Sequence, residues 1–242
     1  MRTLQAILLI LVTLVPCGWA GAFDRTASIG DSRESAEADA EGGNSKLEAL
    51  IRAMDQETNS STQIIQRPFP RSLKETAAGR ADFHVPFIDN GTLPAPEGLA
   101  YVKEVDFGEV FFVIYSKKTD AFDMNSVAGA KLVETEPGHD GFFPFPVSET
   151  RCVTCSLDKI LQGRLDALIV SEDLVDPLLR DAKYKEIHRA LYGSYVVRAL
   201  VPAAGNSAAV RRYLIDGVEA LKRSGKLWDI APHPFAYSDW QP

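Results

Sequence analysis

Residues 137–146 read PGHDGFFPFP and bring several kinds of ligand chemistry into one short stretch. Gly138 lets a backbone approach a bound molecule closely. His139 and Asp140 supply hydrogen-bond donors and acceptors. Phe142, followed by Phe143 and Phe145, offers apolar faces that shield an apolar body or stack on a ring. The segment is a candidate cleft wall; the alternative, equally open, is that the phenylalanines cap a core. Arg67 and Arg71 flank Pro68-Phe69-Pro70. Either guanidinium can clamp an anionic group, and the alternative is two solvated surface arginines. Phe83, His84 and Phe87 share one apolar run; His84 is a cleft candidate, and core packing is the reading for the two phenylalanines.

Cys152 and Cys155 form C-x-x-C ahead of a helix-like run. In an exported chain a local disulfide is the default, and the alternative is a redox thiolate at a helix start. The surroundings lack the aromatic-Cys-Gly-Pro-Cys context of thioredoxins, and no cis-proline strand can be picked out. No His follows the pair and no second C-x-x-C accompanies it, so haem attachment and a zinc site are not expected. The four histidines are scattered, and His139 with Asp140 alone makes no metal site. No cofactor is expected. The net charge is −7 and Lys/Arg cluster nowhere, which argues against nucleic acid as a partner.

These groups need elements to hold them. Residues 1–22 read as a cleaved signal peptide: Arg2, an apolar run too short to span a membrane, Pro16, and small Ala20 and Ala22. Residues 23–44 combine a possible first strand with a polar, acidic arm. Ser45 and Glu48 suit a capping box, and Leu47, Leu50, Ile51 and Met54 form one helical stripe. Strands are expected at STQIIQRPF, FHVPFI, EVFFVIYS, KLVET, DALIV and SYVVRALVP. Helices are expected after Pro70, after Ser156 as a cap, at DLVDPLLRD, and from Ser207 to a stop at Gly225. Strands alternating with helices imply an α/β fold with parallel sheet.

One corner occurs twice. Gly79-Arg80-Ala81-Asp82 and Gly163-Arg164-Leu165-Asp166 each follow a helix-like run and precede an extended apolar run. Glycine ends the helix in the left-handed conformation, the aspartate accepts from free backbone donors, and the apolar run suits a strand buried on both faces. Two such corners suggest two similar lobes.

The order AAGRADFHVPF, VFFVIYSKK, GAKLVETEPG, LDKILQGRLDALIV, SYVVRALVP and LIDGVEALKRSGKLWDI resembles the bacterial extracellular solute-binding proteins of family 3, over roughly residues 45–240. That resemblance implies a two-lobed periplasmic-binding-protein-like fold of type II, with two crossing hinge strands (FVIYSK and YVVRAL) and a ligand cleft between lobes. Lobe one would hold residues 45–115 plus 198–242, and lobe two residues 116–197. It implies a monomeric periplasmic receptor that presents a small molecule to an inner-membrane transporter permease.

The chain departs from the family's amino-acid binders. The Thr-x-x-Arg that clamps a ligand carboxylate is missing from PFIDNGTLPAPEGLAYV. The aspartate that would hold a ligand ammonium is replaced by Ser171, with Glu172 beside it, and the Gly-Thr of a carboxylate-capping turn reads Gly138-His139. An ordinary α-amino acid is therefore not the expected ligand. Two further readings share the fold. One is a dehydratase-like enzyme using His139, Asp140 and Glu172 as acid/base groups; the other is a sensory or accessory protein acting on a membrane partner other than an importer.

Overall fold

A computed structural model describes residues 24–31, 43–205, 207–231 and 236–242. The signal-peptide expectation and the acidic arm at residues 32–42 lie outside the described residues, as does the Ser45 side chain of the expected capping box.

Among the described residues nine strands form one hydrogen-bonded sheet, eight in the order β2-β1-β3-β9-β5-β8-β6-β7 and β4 off this path on β9. β1 (Arg25–Asp31) runs parallel to β2 (Thr62–Pro68) and β3 (Phe83–Asp89). β6 (Val133–Thr135) runs parallel to β7 (Ser148–Glu149) and β8 (Ala167–Ser171). Between these trios lie β5 (Glu109–Lys117) and β9 (Ile187–Pro202), antiparallel to each other. β3 meets β9 and β8 meets β5, both antiparallel, so each trio ends on one of the long strands. β4 (Leu99–Tyr101) joins the far end of β9. The chain is thus two three-stranded parallel units joined by two shared strands.

The repeated corner does the same work in each unit. Helix α2 (Phe69–Ala77) and helix α3 (Val153–Leu161) both end one turn before it. Gly79 and Gly163 have φ of 71° and 68°, and their amides bond to Thr76 O and Ile160 O. Asp82 then accepts from Thr26 N at the start of β1 (2.6 Å). Asp166 accepts from Lys131 N and Leu132 N just before β6 (2.7 and 3.0 Å). The aspartates therefore tie each helix end to the neighbouring parallel strand rather than to the turn itself.

Helix α1 (Gly43–Thr58) buries its stripe Leu47, Leu50, Ile51 and Met54 against α5 (Ala208–Ser224). The helices approach so closely that a Cβ on Gly217 would lie 2.9 Å from Met54 Cβ. α5 begins after Ser207 and stops at left-handed Gly225, as expected, and the short α6 (Lys226–Ile230) follows. α3 differs from expectation at its cap. Cys152 takes that position and accepts from Cys155 N (3.2 Å), while Ser156 lies inside the first turn and donates to Glu134 (2.6 Å). The expected helix at DLVDPLLRD is shorter: α4 (Glu172–Val175) followed by a 3-10 turn at Leu178–Arg180.

Two features bear on where the two units divide. Phe112–Ser116 of β5 already pair with β8, so the strand enters the second unit before residue 115. The last residues, set in lobe one on sequence grounds, pack on the second unit: Tyr237 and Trp240 lie against the cluster that contains Val113, Tyr115, Leu157 and Val170. Fully buried Arg189 anchors them by donating to Ser238 O and Trp240 O (2.9 and 3.0 Å). Among the described residues no helix is long and apolar enough to cross a membrane.

Candidate functional site

A cleft of about 480 Å³ opens between the two units. One wall comes from Gly30, Phe69, Phe87 and Ile88; the other from Glu136, Gly138, His139, Phe142, Ser171 and Asp173, with Val110 and Val197 of the shared strands lining it as well. The wall residues cluster where parallel strands end: Gly30 near the end of β1, Pro68 at the end of β2, Glu136 just after β6, Ser171 at the end of β8. Open α/β sheets bind ligands at the carboxyl ends of their strands, and here two such edges face one space.

The wall of the second unit is pinned by rings. Phe142 stacks on Phe112 (centroids 5.8 Å, 23°), and His139 meets both edge-on at 5.0 and 5.3 Å. Tyr195 of β9 closes the group against Phe112 and Phe142 (5.2 and 5.4 Å). Phe143 is buried and packs on Phe112, Phe145 and Tyr192. The phenylalanine run divides residue by residue: Phe142 faces the cleft and Phe143 fills the core.

On the opposite wall Phe69 stacks on Phe87 (5.9 Å, 14°). Behind them His84 is fully buried. Its Nε2 donates to Pro86 O (3.0 Å), leaving Nδ1 to accept from the Ser72 hydroxyl (2.6 Å). Burial lowers its pKa to about 4, so the ring is neutral. His84 thus supports the wall and does not line it, while Phe87, expected in the core, does. Gly30 is required here: a Cβ would fall 2.8 Å from Phe69 Cδ2 and against the His84 ring. The Val85–Pro86 bond in this wall is cis, a feature not picked out from the sequence; it lies on β3, whereas the cysteine pair heads α3.

The other candidates divide. Gly138, His139, Phe142 and Ser171 line the cleft. Arg67 and Arg71 do not; both pair with Glu75 (3.2 and 2.8 Å). Asp140 is exposed and outside the lining. Glu172 turns away toward Arg189 (3.5 Å). Cys152 and Cys155 are joined as a disulfide at the head of α3. Among the described residues no group of three or more His, Cys, Asp or Glu could hold a metal.

Two acidic residues in the lining were not foreseen. Glu136 is half-buried, accepts a long bond from Ser171 N (3.4 Å), and has its pKa raised to about 7 by desolvation and by nearby Asp173, against hydrogen bonds from the Ser171 amide and hydroxyl. His139 Nδ1 lies 3.7 Å from Glu136 Oε1, buried and without a hydrogen-bond partner. Burial lowers the His139 pKa to about 4, so it brings no charge to Glu136 at neutral pH. The available signal was positional: Glu136 directly follows an expected strand, and Asp173 lies two residues past Ser171.

No protein-family model matches the sequence, and no curated protein matches it. Solved structures do. A histidine kinase sensor domain with similarity to periplasmic binding proteins aligns with a TM-score of 0.64 at 13% identity, over 86% of this chain and 94% of that one. The GluR0 ligand-binding core in complex with L-glutamate aligns at 0.63 and 10% identity, over 87% and 97%. An amino acid ABC transporter substrate-binding protein from Streptococcus pneumoniae bound to L-arginine aligns at 0.57 and 14% identity, over 86% and 92%. At these identities the likeness is one of fold. The chain is built on the two-lobed fold of periplasmic binding proteins, with its cleft where the two lobes meet.

Proposed function

We propose that this chain is a solute receptor that works outside the cytoplasm, captures a small molecule between its lobes and presents it to a membrane partner. The supporting observation is the cleft itself: two strand-end edges, one from each lobe, face a single space across two shared strands. Its size and apolar lining suit a small ligand. A ligand that touches both walls stabilises the closed arrangement by its differential contacts. Micromolar binding supplies about 8 kcal/mol in total, from which lobe closure takes its share. We draw the lobe boundary at residues 109–112 and 193–196, where β5 and β9 change neighbours.

The signal-like residues 1–22 and the disulfide both suit a monomer exported to an oxidising periplasm. An importer permease is the proposed partner, a reading supported by the fold shared with a substrate-binding protein of an ABC transporter; a sensor kinase is the second reading, favoured by the sensor domain aligned above. Binding without catalysis is the preferred reading, because Glu172 is held by Arg189 instead of joining His139 and Asp140.

The test is a thermal-shift screen of polar and apolar metabolites followed by calorimetry on each hit. A hit that raises Tm, returns unchanged after incubation, and binds His139→Ala or Phe142→Ala about tenfold more weakly or worse supports the reading. Chemical turnover, or affinity indifferent to both variants, contradicts it.

A further inference from the structure

We propose that the cleft selects an organic amine that carries an apolar body and no carboxylate, and that Glu136, assisted by Asp173, receives the ammonium. This deepens the receptor reading above and rests on it.

The lining is mostly apolar, with phenylalanine rings on both walls, which suits a ring or alkyl body and permits cation–π contact. Its charged members among the described residues are acidic, Glu136 and Asp173, and no described Lys or Arg lines it. The arginines that approach the region are engaged elsewhere. Arg67 and Arg71 hold Glu75, Arg198 holds Asp89 at 2.7 Å, and Arg189 holds Asp176 at 2.7 Å. A helix start can also bind an anion; of the two at the cleft, α2 begins Pro68-Phe69-Pro70, whose prolines have no amide proton to offer, and the four-residue α4 after Ser171 carries Glu172 and Asp173 in its first turn. Among the described residues, a carboxylate placed here would meet two like charges and no cationic partner. An ammonium would meet Glu136, a half-buried carboxylate that faces Ser171, whose amide bond to it is long and whose hydroxyl also donates, and a neutral imidazole.

Proton linkage follows from the groups around Glu136. Ser171 at the end of β8 donates to it, Asp173 on α4 repels its charge, and His139 faces it from its own loop. Asp140 and Glu149 act in turn on His139. Across the cleft, buried His84 is neutral. In the empty receptor Glu136 is half-protonated near pH 7. An arriving ammonium favours the carboxylate and expels the proton, so affinity should rise about tenfold from pH 6 to pH 8.

The experiment is isothermal titration of the whole mature chain with 2-phenylethylamine, tryptamine and benzyltrimethylammonium. The matched probes are 3-phenylpropionate, 3-phenylpropanol and phenylalanine, each measured at pH 6, 7 and 8 in buffers of different ionisation enthalpy. At least one amine should bind ten times more tightly than the propionate and the zwitterion, and release a fraction of a proton at pH 7. Glu136→Gln should lose at least tenfold for that amine and abolish the pH dependence. Asp173→Asn, on an exposed residue, is the companion variant and should lose about threefold. If the propionate or the alcohol binds as tightly as every amine, and Phe142→Ala weakens it, the ligand class is wrong and the receptor reading stands. Amine binding that ignores both Glu136→Gln and pH also overturns the ligand class. If no probe binds at millimolar concentration, the ligand class falls; if, in addition, no hit from the metabolite screen depends on His139 or Phe142, the receptor reading falls with it.

Discussion

Lobe two half-buries carboxylates in two places, and it treats them in opposite ways. Behind the sheet, Asp176 is surrounded by donors. Arg189 approaches both its oxygens (3.1 and 2.7 Å), Tyr115 donates to it at 2.8 Å and Trp240 Nε1 at 3.1 Å. Arg189 also stacks near the Trp240 and Tyr237 rings, and the Gln241 side chain bonds its backbone on both sides. In the cleft, Glu136 faces Ser171, whose amide bond to it is long and whose hydroxyl also donates, and a neutral histidine, with no cation beside it among the described residues. A buried charge is tolerable when paired and costly when alone. The first carboxylate is therefore part of how the lobe holds its shape; the second carries a cost in the empty protein that a cationic ligand can relieve.

The largest effect should come from breaking the satisfied site. Arg189→Ala strands Asp176 and frees the C-terminal residues, and should lower unfolding free energy by about 3–5 kcal/mol in a denaturant titration. A loss under about 1 kcal/mol would mean the network contributes little.

Removing the carboxylate that lacks a cationic partner among the described residues should act in the opposite direction. The Glu136 pKa is raised from 4.5 to about 7, so the folded state binds this proton more tightly than the unfolded state. Its charge costs stability above the unfolded value, increasingly up to pH 7. At 1.36 kcal/mol per pKa unit, Glu136→Gln should stabilise the ligand-free protein by about 3 kcal/mol at pH 8. The gain should fade to nothing by about pH 4. Equal destabilisation at both pH values would show that Glu136 is an ordinary structural residue.

Smaller changes sharpen the contrast. Phe142→Ala loses both a cleft face and its stack on Phe112, and should cost about 1–2 kcal/mol of binding to an aromatic ligand beyond any change in stability. Glu172→Gln should leave ligand affinity within about twofold, since that side chain faces Arg189. A tenfold loss from Glu172→Gln would move it into the binding site.

Much of the scaffold was readable because local signals and tertiary needs agreed. The glycine corners, the α1 stripe, Ser207 and Gly225 are positions where backbone conformation or helical spacing admits few alternatives. What failed depended on contacts distant in sequence. Ser156 reads as a cap, but its hydroxyl is taken by Glu134 across the lobe. Arg67 and Arg71 read as clamps because nothing local shows that Glu75 sits within reach of both. Tyr237 and Trp240 join lobe two through Arg189, about fifty positions earlier, which no periodicity reveals. In the cleft, the legible part was the loop of small and aromatic residues around Gly138. Glu136 and Asp173 were missed because family spacing directed attention to Ser171 and Glu172. The physical rule that ligands meet strand ends would have included them.

The most direct test of the whole account is the separation of the lobes in solution with and without ligand. Spin labels at Lys74→Cys on lobe one and Met124→Cys on lobe two, both exposed sites, report it by pulsed dipolar spectroscopy. Saturation with a ligand from the screen should shift the distance distribution to a single, narrower population. An unchanged distribution, with the ligand shown to be bound, would contradict capture by closure of the two lobes.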